Sequence, residues 1–208
     1  MAWRKEDTIG DKLRRLFTNE QDTIEKKAII AQYRLKTAMG RIANYIEKLS
    51  ERDKVLFENI VDAMIKKDEM RAKMYAKEVA EIRKISKQLL TVQYALEHAA
   101  LKLETFIIYG GAVSEVAPVV GVMREALGIV KSVAPDVWID LQVAVRELET
   151  AMGGSIIDLS VDVGVDTEAK KILEEARIVA EQKMREKFAE LPKAVPLPEN
   201  EAPKTATA

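Results

Sequence analysis

One histidine, His98, stands next to Glu97, and the chain contains no cysteine. An adjacent Glu-His pair does not match the Glu-x-x-His spacing by which a helix presents both side chains to a di-metal centre. His98 therefore reads as an ordinary helix histidine. Two glycine pairs, Gly110-Gly111 and Gly153-Gly154, lack the Lys-Ser/Thr that completes a phosphate-cradling loop, and no Gly-x-Ser-x-Gly elbow is present. Carboxylates are abundant, but basic residues accompany them at helical spacing, the pattern of a solvated helix face. The expectation is a protein with no catalytic residues, no metal and no cofactor, hence not an enzyme.

Binding chemistry is concentrated at the two ends. Leu13, Leu16 and Phe17 continue a helical spacing begun at Ile9, Arg4, Lys5, Lys12, Arg14 and Arg15 supply positive charge, and Trp3 adds an interface-seeking ring. These nine residues (Trp3, Arg4, Lys5, Lys12, Leu13, Arg14, Arg15, Leu16 and Phe17) form a candidate membrane-binding set. Each basic residue contributes about 1 kcal/mol at an anionic leaflet, so one copy binds weakly and a polymer of copies binds strongly. The alternative, that Leu13, Leu16 and Phe17 begin the first helix and pack inside, stays open. At the other end, Leu191, Pro192, Val195, Pro196, Leu197 and Pro198 make an extended strip of the kind docking domains grip, or else a plain disordered tail.

Between these ends the chain reads as helix. From Arg41 to Tyr109, 69 residues pass without Gly or Pro. Ile24, Ala28, Ala31, Leu35, Ala38, Ile42, Tyr45 and Leu49 make a heptad stripe that requires a partner helix. Ser50 with Asp53 resembles a capping box, which places a hairpin turn near Lys48–Arg52 and a second helix over Asp53–Tyr109, ending at Gly110-Gly111. An unbroken helix through this point is the alternative. The second helix carries its own stripe of Ile82, Ile85, Leu89, Val92, Leu96, Ala99, Leu103 and Phe106. A first helix of roughly 30 to 38 residues would leave that stripe overhanging, and burying each large side chain is worth ~1.5–3 kcal/mol. Later helices of the same chain or neighbouring copies must cover it.

The later helices are a short one within Ala112–Val133, one from Pro135 to Met152 with Asp136 as its N-cap, and an acid-rich one opened by Asp166-Thr167-Glu168. Residues Ser155–Val165 alternate and read as an extended segment or linker. The chain thus divides into a basic amphipathic segment (1–18), a long helical hairpin (19–109), short helices and a linker (110–165), an acidic helix (166–190) and a disordered, Pro-containing tail (191–208). Residues 1–109 carry 22 Lys/Arg against 17 Asp/Glu, and residues 110–208 carry 11 against 17. A basic half followed by an acidic half can fold back on itself, bind an anionic surface or stack head to tail. Acids interleave with the bases and no aromatic platform accompanies them, so nucleic acid is not an expected partner. No apolar run spans a membrane, and the charged start is unlike a secretory signal, which fits a cytoplasmic protein.

The stretches QYRLKTAMGRIANYIEKLSERDKVLFENIVDA and YGGAVSEVAPVVGVM, with this order of elements, resemble the ESCRT-III family, in particular its archaeal CdvB-type cell-division proteins. The resemblance covers about residues 10–198. It implies an all-α fold, a long antiparallel helical hairpin followed by shorter helices, and a shorter paralogue without the family's winged-helix-like segment. It also implies filaments on the cytoplasmic membrane face that remodel or constrict membrane at the division site. Implied partners are further copies of itself, other ESCRT-III-like paralogues, anionic membrane lipids, and a CdvC-type AAA ATPase that disassembles the polymer. The MIT domain of that ATPase would grip Leu191, Pro192, Val195, Pro196, Leu197 and Pro198. Ile82, Ile85, Leu89, Val92, Leu96, Leu103 and Phe106 would serve as a polymer or closure stripe. The reading of another class is a cytosolic coiled-coil adaptor or chaperone-like scaffold with no membrane role.

Overall fold

The computed structural model describes residues 9–152 and 163–188, with side chains from Ile24 onward apart from those of Val113 and of residues 163–166. Within these residues the chain is all helical. The helices are α1 (Ile9–Ile65), α2 (Glu69–Tyr109), α3 (Ala117–Val130), α4 (Pro135–Ala151) and α5 (Val163–Lys187), with a single 3-10 turn at Val113–Glu115.

The hairpin turn lies at Lys66–Asp68, and the expected turn near Lys48–Arg52 is a correction: α1 runs straight through it for 57 residues. Nothing there breaks a helix, and the buried stripe continues unbroken through Ile46, Ser50, Asp53, Leu56, Ile60 and Ala63. Ser50 and Asp53 belong to that stripe and cap nothing. The real turn is a Schellman arrangement. The Asp68 amide donates to the Ala63 carbonyl (2.9 Å), and the Lys67 amide donates to the Met64 carbonyl (3.0 Å). Lys67 occupies the left-handed position at φ 57°, where glycine is usual. Asp68 then caps α2, its carboxylate accepting from the Arg71 amide at 3.1 Å.

The position of the turn reverses which helix overhangs. At ~1.5 Å per residue, α1 is about 85 Å long and α2, with 41 residues, about 60 Å. The first helix is the longer one, so α1 flanks α2 along its whole length. What exceeds the reach of α1 is the width of the apolar surface on α2. Leu89, Leu90, Val92, Ala95, Leu96, Ala99, Ala100, Leu103 and Phe106 are all buried, more than one helix can cover. Helices α3 and α5 cover the remainder, while α4 lies on α1.

Two cores result. The main one joins all five helices, and a smaller one nearer the turn comprises Leu56, Ile60, Ala76, Val79 and Ile82. Helix α2 stops at Gly110, whose φ of 66° is easy for glycine. Helix α4 begins at Pro135 with Ala134 at its N-cap, so Asp136 falls in the first turn and is spent on α1 instead. Helix α5 begins at Val163, before the expected Asp166 start, so Val163–Val165 is helical and not extended. The rest of the alternating segment lies outside the described residues.

Candidate functional site: the covered face of the hairpin

The buried stripe on α2 and the helices that hide it form the candidate site. Leu89, Val92, Leu96, Leu103 and Phe106 sit in the main core, and Ile85 is half-buried against it. Ile82 lies apart, in the smaller core with Leu56, Ile60 and Val79. The cover supplied by α5 is slim. Among its described side chains the buried ones are Ala169, Ile172, Leu173, Ala176 and Ala180, with Phe188 just beyond its end. Three of these six are alanines, whose burial removes little apolar area from water.

Charge aligns this cover. On α4, Glu147 pairs with Lys27, Asp140 with Arg34 (4.0 Å) and Arg41 (2.7 Å), and Asp136 with Arg41 (3.7 Å). The Tyr45 hydroxyl donates to Asp136 at 2.9 Å, and this bond to a carboxylate holds the Tyr45 phenol above its usual 10.0. On α5, Glu168 pairs with Lys102 and Glu181 with Lys87. The bond from Lys87 holds the Glu181 carboxyl below its usual 4.5. In each of these pairs the cation is on the hairpin and the acid on a later helix, so the charge split of the sequence appears as an intramolecular clasp. Partly exposed pairs of this kind are worth ~0–1 kcal/mol each, so they set register more than strength.

The end of α5 is held by a different device. Arg83 on α2 donates to both carboxylate oxygens of Asp53 on α1, at 2.7 and 3.0 Å. The Asp53 side chain is only 4% exposed. The buried ring of Phe188 lies with its centroid 5.7 Å from the Arg83 guanidinium carbon, and Lys187 reaches Glu47 of α1 at 3.1 Å. One arginine thus ties α1, α2 and the end of α5 together. Sequence reasoning assigned Asp53 to a cap and missed Arg83 and Phe188. The signal for α5 was present as Ile172, Ala176 and Ala180 at helical spacing, but the pairing of Asp53 with Arg83 spans 30 residues and leaves no local pattern.

The terminal segments fall elsewhere. Lys12, Leu13, Arg14, Arg15, Leu16 and Phe17 belong to the backbone of α1, with side chains outside the described residues. Trp3, Arg4 and Lys5, and the strip of Leu191, Pro192, Val195, Pro196, Leu197 and Pro198, lie outside the described residues altogether. His98 is half-buried beside an open cleft lined also by Lys102, Thr105, Ser114, Glu115 and Glu168, and its Nδ1 has no hydrogen-bond partner. Among the described residues no group of three or more His, Asp or Glu side chains is placed to hold a metal ion, and no helix is long and apolar enough to cross a membrane.

A long hairpin closed on itself by its later helices is the class of protein this geometry defines. No family model matches the chain, and no solved structure does. Relatives do. Cell division protein B1 of Sulfolobus acidocaldarius is 43% identical over 181 residues, covering 84% of this chain and 83% of the relative. Cell division protein B of the same organism is 33% identical, covering 93% of this chain and 75% of the relative. Cell division protein B3 is 28% identical, covering 78% and 97% respectively. The chain belongs to this cell division protein B (CdvB) family.

Proposed function

We propose that this protein is a non-enzymatic assembly subunit of cell division. It is stored as the closed monomer described above and polymerises when α5 and its neighbours leave the hairpin. The observation that carries this reading is the cover itself: an apolar surface wider than one helix can bury, hidden by α3 and by α5, where three of the five described buried residues are alanines, with partly exposed ion pairs along the seam. Release of α3 and α5 uncovers the part of the α2 apolar face that α1 does not reach, and a second copy regains that burial at ~1.5–3 kcal/mol per large side chain. The family supports a role in division, since the relatives are named as cell division proteins and occur as several paralogues in one organism.

In this proposal the polymer lies on the cytoplasmic face of the membrane at the division site, homopolymeric or mixed with paralogues, and remodels the membrane there. The segment holding Trp3, Lys12 and Phe17 contacts anionic lipid, and the strip from Leu191 to Pro198 recruits an AAA ATPase that takes the polymer apart. Charging Leu89 and Leu96 is a poor test, because both lie in the main core and their loss unfolds the monomer. Leu173→Asp on α5 loosens the cover and leaves α2 intact. Electron microscopy of this variant with anionic vesicles should show filaments at lower protein concentration than wild type. Dispersed monomers at every concentration, for both proteins, would reject the assembly reading.

A further inference from the structure

The ion pairs on α4 and along α5 set hairpin cations against later acids, and at one stretch of the α2–α5 seam cations from both helices also face one another. An open cleft of about 530 Å³ is lined by Arg83, Lys84 and Lys87 from α2 and by Glu181, Met184 and Arg185 from α5. Four cations meet there over one carboxylate. Lys87 is engaged with Glu181, and Arg83 is engaged with Asp53 through Nε and one terminal nitrogen. Lys84 and Arg185 are exposed and come from opposite helices; among the described residues neither makes a direct ion pair, although Arg185 acts at longer range on Glu181, one turn before it on α5. Like charges across a seam oppose its closure, and a bound anion reverses the sign of that term.

We infer that this cleft binds a compact polyphosphate, a chain of two or three phosphate groups, which bridges Lys84 of α2 to Arg185 of α5 and clamps the closed form. Several negative charges are required because Glu181 stands in the cleft and offsets a monovalent anion. The phosphates alone are read: among the described residues Met184 is the one apolar side chain in the lining, and the Phe188 ring is buried and turned to Arg83, so these residues offer no platform for a nucleobase. The same chemistry is offered by a free polyphosphate and by a phosphorylated lipid headgroup. The consequence for polymerisation rests on the assembly reading above; the binding itself does not.

Isothermal titration of the full chain with inorganic tripolyphosphate, against chloride at equal ionic strength, tests the site. Wild type should bind one equivalent, and ATP should match tripolyphosphate within about twofold, since only phosphate is recognised. Lys84→Gln with Arg185→Gln should weaken binding by about tenfold or more, while Lys54→Gln with Lys77→Gln, an equal loss of exposed charge elsewhere on the hairpin, should leave it within about twofold. Equal losses in the two double variants, or no saturable binding, would overturn the site. Amide exchange in α5 should slow when tripolyphosphate is added to wild type; unchanged exchange with ligand bound would overturn the clamp. Phosphoinositide vesicles retained by wild type and released by tripolyphosphate identify the lipid as the source, and tripolyphosphate binding without vesicle retention identifies the free anion. Absence of filaments under all conditions would reject the assembly reading and leave the binding isotherm standing.

Discussion

Replacing Asp53 by Ala removes two charge-assisted hydrogen bonds and leaves the Arg83 guanidinium, whose side chain is 19% exposed, without its carboxylate. Breaking a buried pair from one side costs about 3–5 kcal/mol, because the remaining charge is uncompensated. Arg83 keeps one-fifth exposure and the face of Phe188, so the lower end applies: about 3 kcal/mol. The double variant Asp53→Leu with Arg83→Met replaces charge with apolar volume and should return to within about 1 kcal/mol of wild type. Ser50→Ala separates this fold from one with a turn at that point. An N-cap serine is worth ~1 kcal/mol, whereas a serine inside α1 costs a few tenths or gains slightly on conversion to alanine. Urea unfolding of the four proteins, comparing midpoints at equal m-value, gives the required free energies. A loss below about 1 kcal/mol for Asp53→Ala, with a loss of that size or more for Ser50→Ala, would refute the buried pair and the unbroken α1.

Lys67→Gly should stabilise the protein by roughly 0.5–1 kcal/mol, read as a raised urea midpoint, because glycine accepts the left-handed turn position without the Cβ penalty. A lowered midpoint would show that the Lys67 side chain matters more than its backbone. Tyr45→Phe should cost about 1 kcal/mol through the lost bond to Asp136. Because the folded-state phenol titrates above 10.0, its contribution is full below that pH and fades above it, so the two proteins should converge in stability in strong alkali. Glu181 titrates below its usual value when folded, so its share of the α5 clasp is full above pH 4.5 and is lost as pH falls below it. Amide exchange along α5, corrected for intrinsic rates, should therefore be flat from pH 8 to 5.5 and rise modestly below 4.5. A rise centred at neutral pH would contradict that assignment.

Much of this fold was legible because helices announce themselves by period. Ile24 to Ile42 on α1 and Leu89 to Phe106 on α2 fall on their buried faces as their spacing required. The turn was not legible, and the reason is local. Ser50 and Asp53 have the residue types of a cap, but the neighbouring stripe keeps them in register with the core. Lys67 makes the true turn without the glycine that ordinarily marks one. The width of the α2 surface was equally hidden, since a heptad count gives the length of a stripe and not how many helices share it. Charge asymmetry between the halves left fold-back, an anionic surface and head-to-tail stacking open, and the particular pairs, such as Lys102 with Glu168, depend on tertiary register alone.

The absence of cysteine from the chain allows the most direct test of storage by closure. Lys102→Cys with Glu168→Cys places two thiols where an ion pair now joins α2 to α5, both partly exposed. Joining them with a short bis-maleimide should hold the protein monomeric by sedimentation with anionic vesicles, while the same variant capped with a monofunctional maleimide should form filaments. Filaments of equal abundance from the joined and capped proteins would contradict the account, because the face of α2 would then have no part in building them.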